Sequence, residues 1–425
     1  MAAERVQPRS DRTGPHPLTA GRLKPAGPRD IAVVGAGPTG LALALMLARQ
    51  GRRVTIHERF DAARPVGAGF LLQPTGQAVL DTLDLTPQVE VLAQPVRRLF
   101  GCAAPTGRTV LDVRYDDLNT PRPALGVHRA ALFDVLFRAA LADGVTVQTG
   151  CEITGADDGR LVRADGSTTA RFDLVVDASG AGSRIAAPLS GGSANGGRAF
   201  AYGALWATVP WPGDGFDEQA LEQVYRGADK MIGVLPVGRR PDSPQRLATF
   251  FWSLRADAHA AWLSGGLGAW RDEVAALWPR VAPVVAGLTD PGQLTFARYR
   301  HHTVHRPVGP RLAIIGDAAH ATSPQLGQGV NMGLLDAHAL AQALDRHGDL
   351  DRALNAYAAA RRWHVRLYQA LSLTFTPFYQ ADGRVLPWIR DHVLGKVARL
   401  PLAPRLLAAT VSGLLLDPRP ADRQR

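Results

Sequence analysis

Residues 30–60 read DIAVVGAGPTGLALALMLARQGRRVTIHERF, with Gly35, Gly37 and Gly40 spaced G-x-G-x-x-G between an apolar run and a helical one. Each glycine meets a separate demand. Gly35 permits a tight turn, Gly37 lets a pyrophosphate approach the backbone, and Gly40 lets the helix pack closely on a sheet. The N–H groups and partial positive charge of the helix N-terminus suit phosphate. Glu58, ending the next strand, is placed to accept from a ribose diol and to repel a 2′-phosphate. The combination predicts an adenine dinucleotide site; its rival is a fold element that has lost its ligand.

A second constellation lies far downstream, in residues 314–333, IIGDAAHATSPQLGQGVNMG. An apolar strand ends in Gly316 and Asp317, followed by Gly327, Gly329 and a helix expected to begin near Asn331. A nicotinamide dehydrogenase has no use for such a segment. An extended ribityl chain does, because its hydroxyls need an acceptor, and Asp317 can supply it. Gly327 and Gly329 then allow backbone near the pyrimidine edge of an isoalloxazine. The helix dipole would face N1 and O2, where the reduced ring carries negative charge. The two segments together predict FAD.

At these residues the chain resembles the para-hydroxybenzoate hydroxylase-like, class A FAD-dependent monooxygenases. GAGPTG with Glu58, HRAALFDVL with Arg129, and GDAAHATSPQLGQGVNMGLLDA carry the likeness, which extends over about residues 30–370. The resemblance implies that Arg129 lies near the FAD pyrophosphate or ribityl chain, and residues 67–76, GAGFLLQPTG, near the flavin ring. It adds Pro38, Thr39, Arg59, Pro324, Val330 and Asn331 to the expected cofactor-binding set. It also implies the reaction: NAD(P)H, as transient co-substrate, reduces FAD, and O2 then adds to give a C4a-hydroperoxide. One oxygen atom passes to an aromatic or polyketide-like small molecule. No side chain is assigned as a catalytic acid or base, because the cofactor carries the hard step.

One departure from the family pattern stands in residues 172–185, FDLVVDASGAGSRI. Ser179 occupies the place of the usual aspartate of an Asp-Gly pair, while Asp177 stands two residues earlier and Gly180, Ser183 and Arg184 remain. This segment is associated with FAD and nicotinamide binding, so direct use of NAD(P)H is left open, beside a monooxygenase fed reduced flavin by a partner. DASG also resembles flavin-dependent halogenases and double-bond reductases. A halogenase reading lacks its lysine, since none lies between Lys24 and Lys230, and the W-x-W-x-I-P motif is missing from MIGVLPVG. A double-bond reductase and a non-catalytic flavin-binding protein remain as alternatives.

The elements that must position these residues are legible in outline. Residues 30–60 predict strand, helix, strand; residues 128–142 predict a helix with Leu132, Phe133, Leu136 and Ala140 on its apolar face. Residues 190–198, SGGSANGGR, read as a flexible connector. AFAYGALWATV, MIGVLPV, RLATFFWSL and QLTFARYRHHTV then read as strands of a separate antiparallel sheet, with a helical stretch at about residues 257–281. The fold class is α/β with an α+β insertion. A Rossmann-type FAD-binding domain (residues 30–190 and 296–370) holds an inserted antiparallel-sheet substrate domain (191–295, with about 96–121). A tail (1–29) precedes them and a helical segment (371–425) follows.

Tyr202, Trp206, Phe251 and Trp252 lie on the predicted sheet, where strand alternation turns some of them toward a cavity. Tyr202, Trp206 and Trp252 are the candidate substrate residues, against the plainer reading of ordinary sheet core. His301, His302 and His320 read as packing residues rather than a phenol base. No cluster has metal-ligand spacing.

A hydrophobic fraction of 46% and a charged fraction of 20% suit a globular protein. The net charge of +10 rests on scattered arginines, with lysine only at 24, 230 and 396, and no basic stripe points to nucleic acid. The run LALALMLA is too short to span a bilayer, and LLAATVSGLLL (residues 406–416) reads as a core or dimer helix rather than a stable membrane insertion. Cys102 and Cys151 imply no disulfide framework, which suits a reducing, cytoplasmic setting. A monomer or a homodimer is expected.

Overall fold

The computed structural model describes residues 27–64, 67–189, 198–213, 215–394 and 400–417. All but the last residue of the connector expected at 190–198, and nearly all of the tail expected at 1–29, lie outside them. Two large sheets organise the chain. The first has six strands in the order Val308–Gly309, Leu312–Ile314, Leu174–Asp177, Asp30–Val34, Arg53–His57 and Thr146–Gln148, parallel except at the Val308–Gly309 edge. Its central strands are continuous apolar runs because both faces are covered, one by helices over Ile31 and Val33 and the other by Ile153 and Leu161 of a β-hairpin over Ala32 and Val34. Pro38–Arg49 begins with Pro at its start and buries every residue from Gly40 to Leu47. It packs against Gly329–Arg346 and Arg129–Ala142.

Small residues set the closest of these approaches. A Cβ at Gly40 would lie 2.1 Å from the Gly35 carbonyl oxygen, and one at Gly333 would lie 2.1 Å from Thr39 Oγ1. Thr39 thereby sits between the first helix and the helix of the downstream segment.

The second sheet has seven strands in the order Thr295–His301, Arg198–Pro210, Leu247–Arg255, Lys230–Pro236, Ala220–Arg226, Arg98–Ala103 and Arg108–Arg114. All neighbours run antiparallel except Ala220–Arg226 beside Arg98–Ala103. Thr295–His301 pairs with Arg198–Pro210, so this sheet extends beyond residue 295, where the sequence reading had returned to the first domain. Leu205, Ile232, Phe250 and Trp252 pack on one face against Leu267, Trp270 and Val274 of the helix Leu267–Leu277. The opposite face turns toward a separate three-stranded sheet of Gly69–Leu72, Ala124–His128 and Gln94–Val96. There Thr249 Oγ1 accepts from the Gly69 amide at 2.8 Å, and Thr208 Oγ1 lies 3.3 Å from His128 Nε2.

The thirty-residue helix Leu350–Tyr379 runs beside both sheets and buries a polar stripe, including Arg361, His364, Tyr368, Gln369, Ser372 and Thr376. The helix Ala403–Val411 packs on Arg108–Arg114. No helix among the described residues is long and apolar enough to cross a membrane.

Candidate functional site

A cleft opens where the C-terminal ends of Asp30–Val34, Arg53–His57 and Leu174–Asp177 meet the downstream helix. That is where an open parallel sheet leaves a crevice for a ligand. Of the sequence-predicted set, the cleft is lined by Gly35, Gly37, Pro38 and Thr39 from the glycine turn, Glu58 and Arg59 after the second strand, Arg129, and Asp317, Gly329 and Val330 from downstream.

The glycine turn is built for a close backbone approach. Gly35 has φ +101°, and a Cβ there would come 2.8 Å from the Ala178 carbonyl oxygen. At Gly37 nothing lies within 4 Å of a notional Cβ, so its face is open to the cleft. Glu58 is buried and holds its loop: Oε2 accepts from the Ala36 amide at 2.8 Å and Oε1 from the Phe60 amide at 3.1 Å. Each oxygen keeps a lone pair for a diol. The Arg129 guanidinium stands over the Phe70 ring at 5.6 Å, and burial lowers its pKa while nearby Asp317 opposes that shift. A partly buried cation lining a cleft suits an anionic ligand. Asp317 is exposed, and a Cβ at Gly329 would lie 3.6 Å from its Oδ1. Donors, acceptor and open backbone therefore fit a dinucleotide with a polyol chain.

Other expected residues stand behind the lining. Gly40 packs the helix on its strand. Pro324 opens a 3-10 turn, Pro324–Leu326, capped by Gly327 with φ +61°. The helix begins at Gly329, with Gln328 as its N-cap, rather than near Asn331. Asn331 is fully buried, and its side chain is taken up by protein: Oδ1 accepts from the Gln73 amide at 2.8 Å, and Nδ2 donates to Leu71 O at 3.1 Å and Gly327 O at 2.9 Å. It latches residues 67–76 to the downstream helix, where sequence reasoning had it reaching the cofactor.

Ser179 also lines the cleft, with Gly180, Gly182 and Arg184. Asp177 lies beneath them, fully buried; Ser179 Oγ donates to its Oδ1 at 2.6 Å and Ser183 Oγ to its Oδ2 at 2.5 Å. Burial raises its pKa, against the pull of those hydrogen bonds. The carboxyl therefore shapes the turn from below and leaves the cleft wall without its charge.

Several supporting residues carried no sequence signal. Asp336 is buried; it accepts from the Gly316 amide at 2.8 Å, from His320 Nε2 at 2.5 Å and from Arg361 Nε at 2.6 Å. Burial pushes its pKa up, but His320 and Arg361 outweigh that and hold it well below the usual range. The Gly-Asp turn is thus anchored from behind, and His320 serves that anchor. His57 and Cys151 also line the cleft, 3.5 Å apart. His302 is buried with Nε2 3.0 Å from Ala318 O.

The three substrate candidates separate. Trp252 sits on the face covered by Leu267–Leu277, its ring 6.4 Å from Trp270 and under the Lys230 ammonium, so it turns away from the cofactor side. Trp206 lies on the other face, its ring tilted 37° to that of Phe251 at 4.9 Å, with Nε1 donating to Tyr299 OH at 2.9 Å. Tyr202 shares that face, but its hydroxyl donates to Asp382 Oδ1 at 2.6 Å. Among the described residues no group of His, Cys, Asp and Glu could hold a metal ion.

Comparisons agree with this geometry. Residues 29–369 match the FAD binding domain family. Among curated proteins, the 6-methylpretetramide 4-monooxygenase of Streptomyces rimosus is 29% identical over 88% of this chain and 89% of its own. The kynurenine 3-monooxygenase of Xanthomonas euvesicatoria is 30% identical over 83% and 79%. Among solved structures, a 2-methyl-3-hydroxypyridine-5-carboxylic acid oxygenase superposes with a TM-score of 0.72 at 22% identity, covering 90% of this chain and 96% of that one. Klebsiella pneumoniae HpxO complexed with FAD gives 0.71 at 21% identity, over 89% and 98%. The chain belongs to the FAD-binding, class A aromatic-ring monooxygenases.

Proposed function

We propose that this enzyme takes electrons directly from NAD(P)H and hydroxylates an aromatic or polyketide-like ring held between the cofactor and the seven-stranded sheet. The observation that carries the reading is the convergence in one cleft of the glycine turn, Glu58, Arg129 and Asp317, drawn from distant parts of the chain. Bound FAD supplies the electron storage and the activation of O2. The chain's own residues bind and orient.

Glu58 would hold the adenosine ribose through the lone pairs its loop leaves free. The amides following Gly35, with Arg129, would neutralise the pyrophosphate, and Asp317 would accept from the ribityl hydroxyls. The N-terminus of Gly329–Arg346 would present its N–H groups to the pyrimidine edge. Trp206, Phe251 and Tyr299 lie on the sheet face turned to the cofactor elements, where they would exclude water and orient a flat ring. The names of the two curated relatives, a pretetramide and a kynurenine monooxygenase, support a ring substrate.

Anaerobic mixing of the flavin-loaded protein with NADPH and then NADH tests the proposal. Bleaching of the flavin absorbance is expected with at least one of them, faster when a bound ring is present. A flavin that stays oxidised with both, at every ring tried, would overturn direct nicotinamide use and assign electron supply to a partner.

A further inference from the structure

The end of the helix Ala403–Val411 is held in an unusual way. A helix C-terminus leaves its last carbonyls without intrahelical partners. Here four successive carbonyls, at residues 410–413, each accept from a different side chain. Tyr368 OH donates to Thr410 O at 2.9 Å, Gln328 Nε2 to Val411 O at 2.5 Å, Thr75 Oγ1 to Ser412 O at 3.0 Å and His364 Nε2 to Gly413 O at 2.9 Å. The donors come from three separate segments. Gln328 is the N-cap of Gly329–Arg346, Thr75 opens the helix beside Gln73, and His364 and Tyr368 share one face of Leu350–Tyr379.

Gly413 completes the fit. Its φ is +83°, and a Cβ there would lie 2.5 Å from Thr75 Oγ1 and 3.0 Å from Gln328 Oε1. The body of the same helix meets the other sheet, with Ala408 buried beside Val113 and Tyr115. The segment therefore spans from the substrate-side sheet to the N-cap of the helix read as facing the flavin pyrimidine.

We infer that the turn at residues 410–413 positions that helix N-terminus through Gln328, so that flavin affinity and the flavin's surroundings depend on a segment that does not touch the cleft. The inference rests on the reading that the Gly329 end faces the cofactor. Gln328, Thr75, His364 and Tyr368 are positioning residues. With its amide on Val411 O, Gln328 cannot turn away without giving up that contact, whereas Thr410 O keeps the Gly413 amide at 3.2 Å beside the Tyr368 hydroxyl.

The test uses full-length apoprotein titrated with FAD, with the absorbance of the loaded protein recorded. Gly413→Ala should weaken FAD binding about tenfold, the equivalent of losing about one such bond, and shift the flavin's visible band. Tyr368→Phe keeps the ring and removes one donor. It should move both readouts in the same direction by less, and it serves if Gly413→Ala fails to fold. Leu406→Ala, on the exposed outer face of the same helix, should move neither. Unchanged affinity and spectrum in both Gly413→Ala and Tyr368→Phe, or in Tyr368→Phe alone if only it folds, would overturn the inference. Asp317→Ala separates the two levels of failure. If it alone weakens FAD, the clamp is wrong and the cofactor reading stands; if none of the variants does, the cofactor reading falls as well.

Discussion

His57 ends the second parallel strand with its ring buried, edge-on to Phe172 at 5.8 Å and with Nδ1 against Cys151. Burial, with Arg163 adding to it, lowers its pKa from 6.5 to about 4. Between those values the unfolded chain binds a proton that the folded chain does not, so stability falls as pH drops from 6.5 toward 4. At pH 5 this one residue removes ~2 kcal/mol relative to pH 7. Urea unfolding of His57→Gln and of the parent at pH 7 and pH 5 checks this: the variant should lose ~2 kcal/mol less across the interval. An equal loss in both would exonerate His57. The glycine turn, Glu58 and Asp317 were legible beforehand because their chemistry restricts residue type at short spacing. His57 and Asp336 were not, because a buried histidine or aspartate looks the same in sequence whether its partner lies in the next turn or, like Arg361, on a helix that only folding brings near.

Four strands of the seven-stranded sheet were legible as elements, while Ala220–Arg226, Arg98–Ala103, Arg108–Arg114 and the facing of all seven were not. Leu247–Arg255 is buried at eight successive positions, LATFFWSL, because helices cover one face and the cofactor side the other. Alternation then leaves only a weak contrast, Thr249 and Ser253 on one face against Ala248, Phe250 and Trp252 on the other. Trp252 therefore reads like Trp206 in sequence, though they lie on opposite sides. The two should fail differently. Trp252→Ala opens a cavity among Phe250, Trp270 and Lys230 and should lose about 3–5 kcal/mol of stability, with kinetics near normal in the protein that remains folded. Trp206→Ala should lose less stability and instead raise KM for the ring substrate. Denaturant melts and steady-state kinetics on both variants decide it, and the reverse pattern would mean the faces have been assigned the wrong way round.

The whole molecule depends on a seam, between the seven-stranded sheet and the three-stranded sheet that holds Ala124–His128, that tolerates no added atoms. A Cβ at Gly126 would lie 1.9 Å from the Pro236 carbonyl oxygen, a backbone atom that no rotamer change can move. Nearby, the His128 amide donates to Val237 O at 3.0 Å. Gly126→Ala should lose ~3 kcal/mol through this clash, read as a lowered midpoint in denaturant; a midpoint within error of the parent would show that the sheets can slide. The same layout has a consequence for how the protein is made. The glycine turn and Asp317 meet only after the strand Leu312–Ile314 has joined Leu174–Asp177 in the parallel sheet. On the ribosome, where a chain emerges at roughly 5–20 residues per second, the first strand, helix and strand wait for most of the remaining sequence before their nucleotide crevice exists. Flavin therefore enters a chain already largely synthesised. A bacterium overproducing this protein faster than it makes FAD will accumulate folded, colourless molecules that turn yellow when the vitamin is fed later.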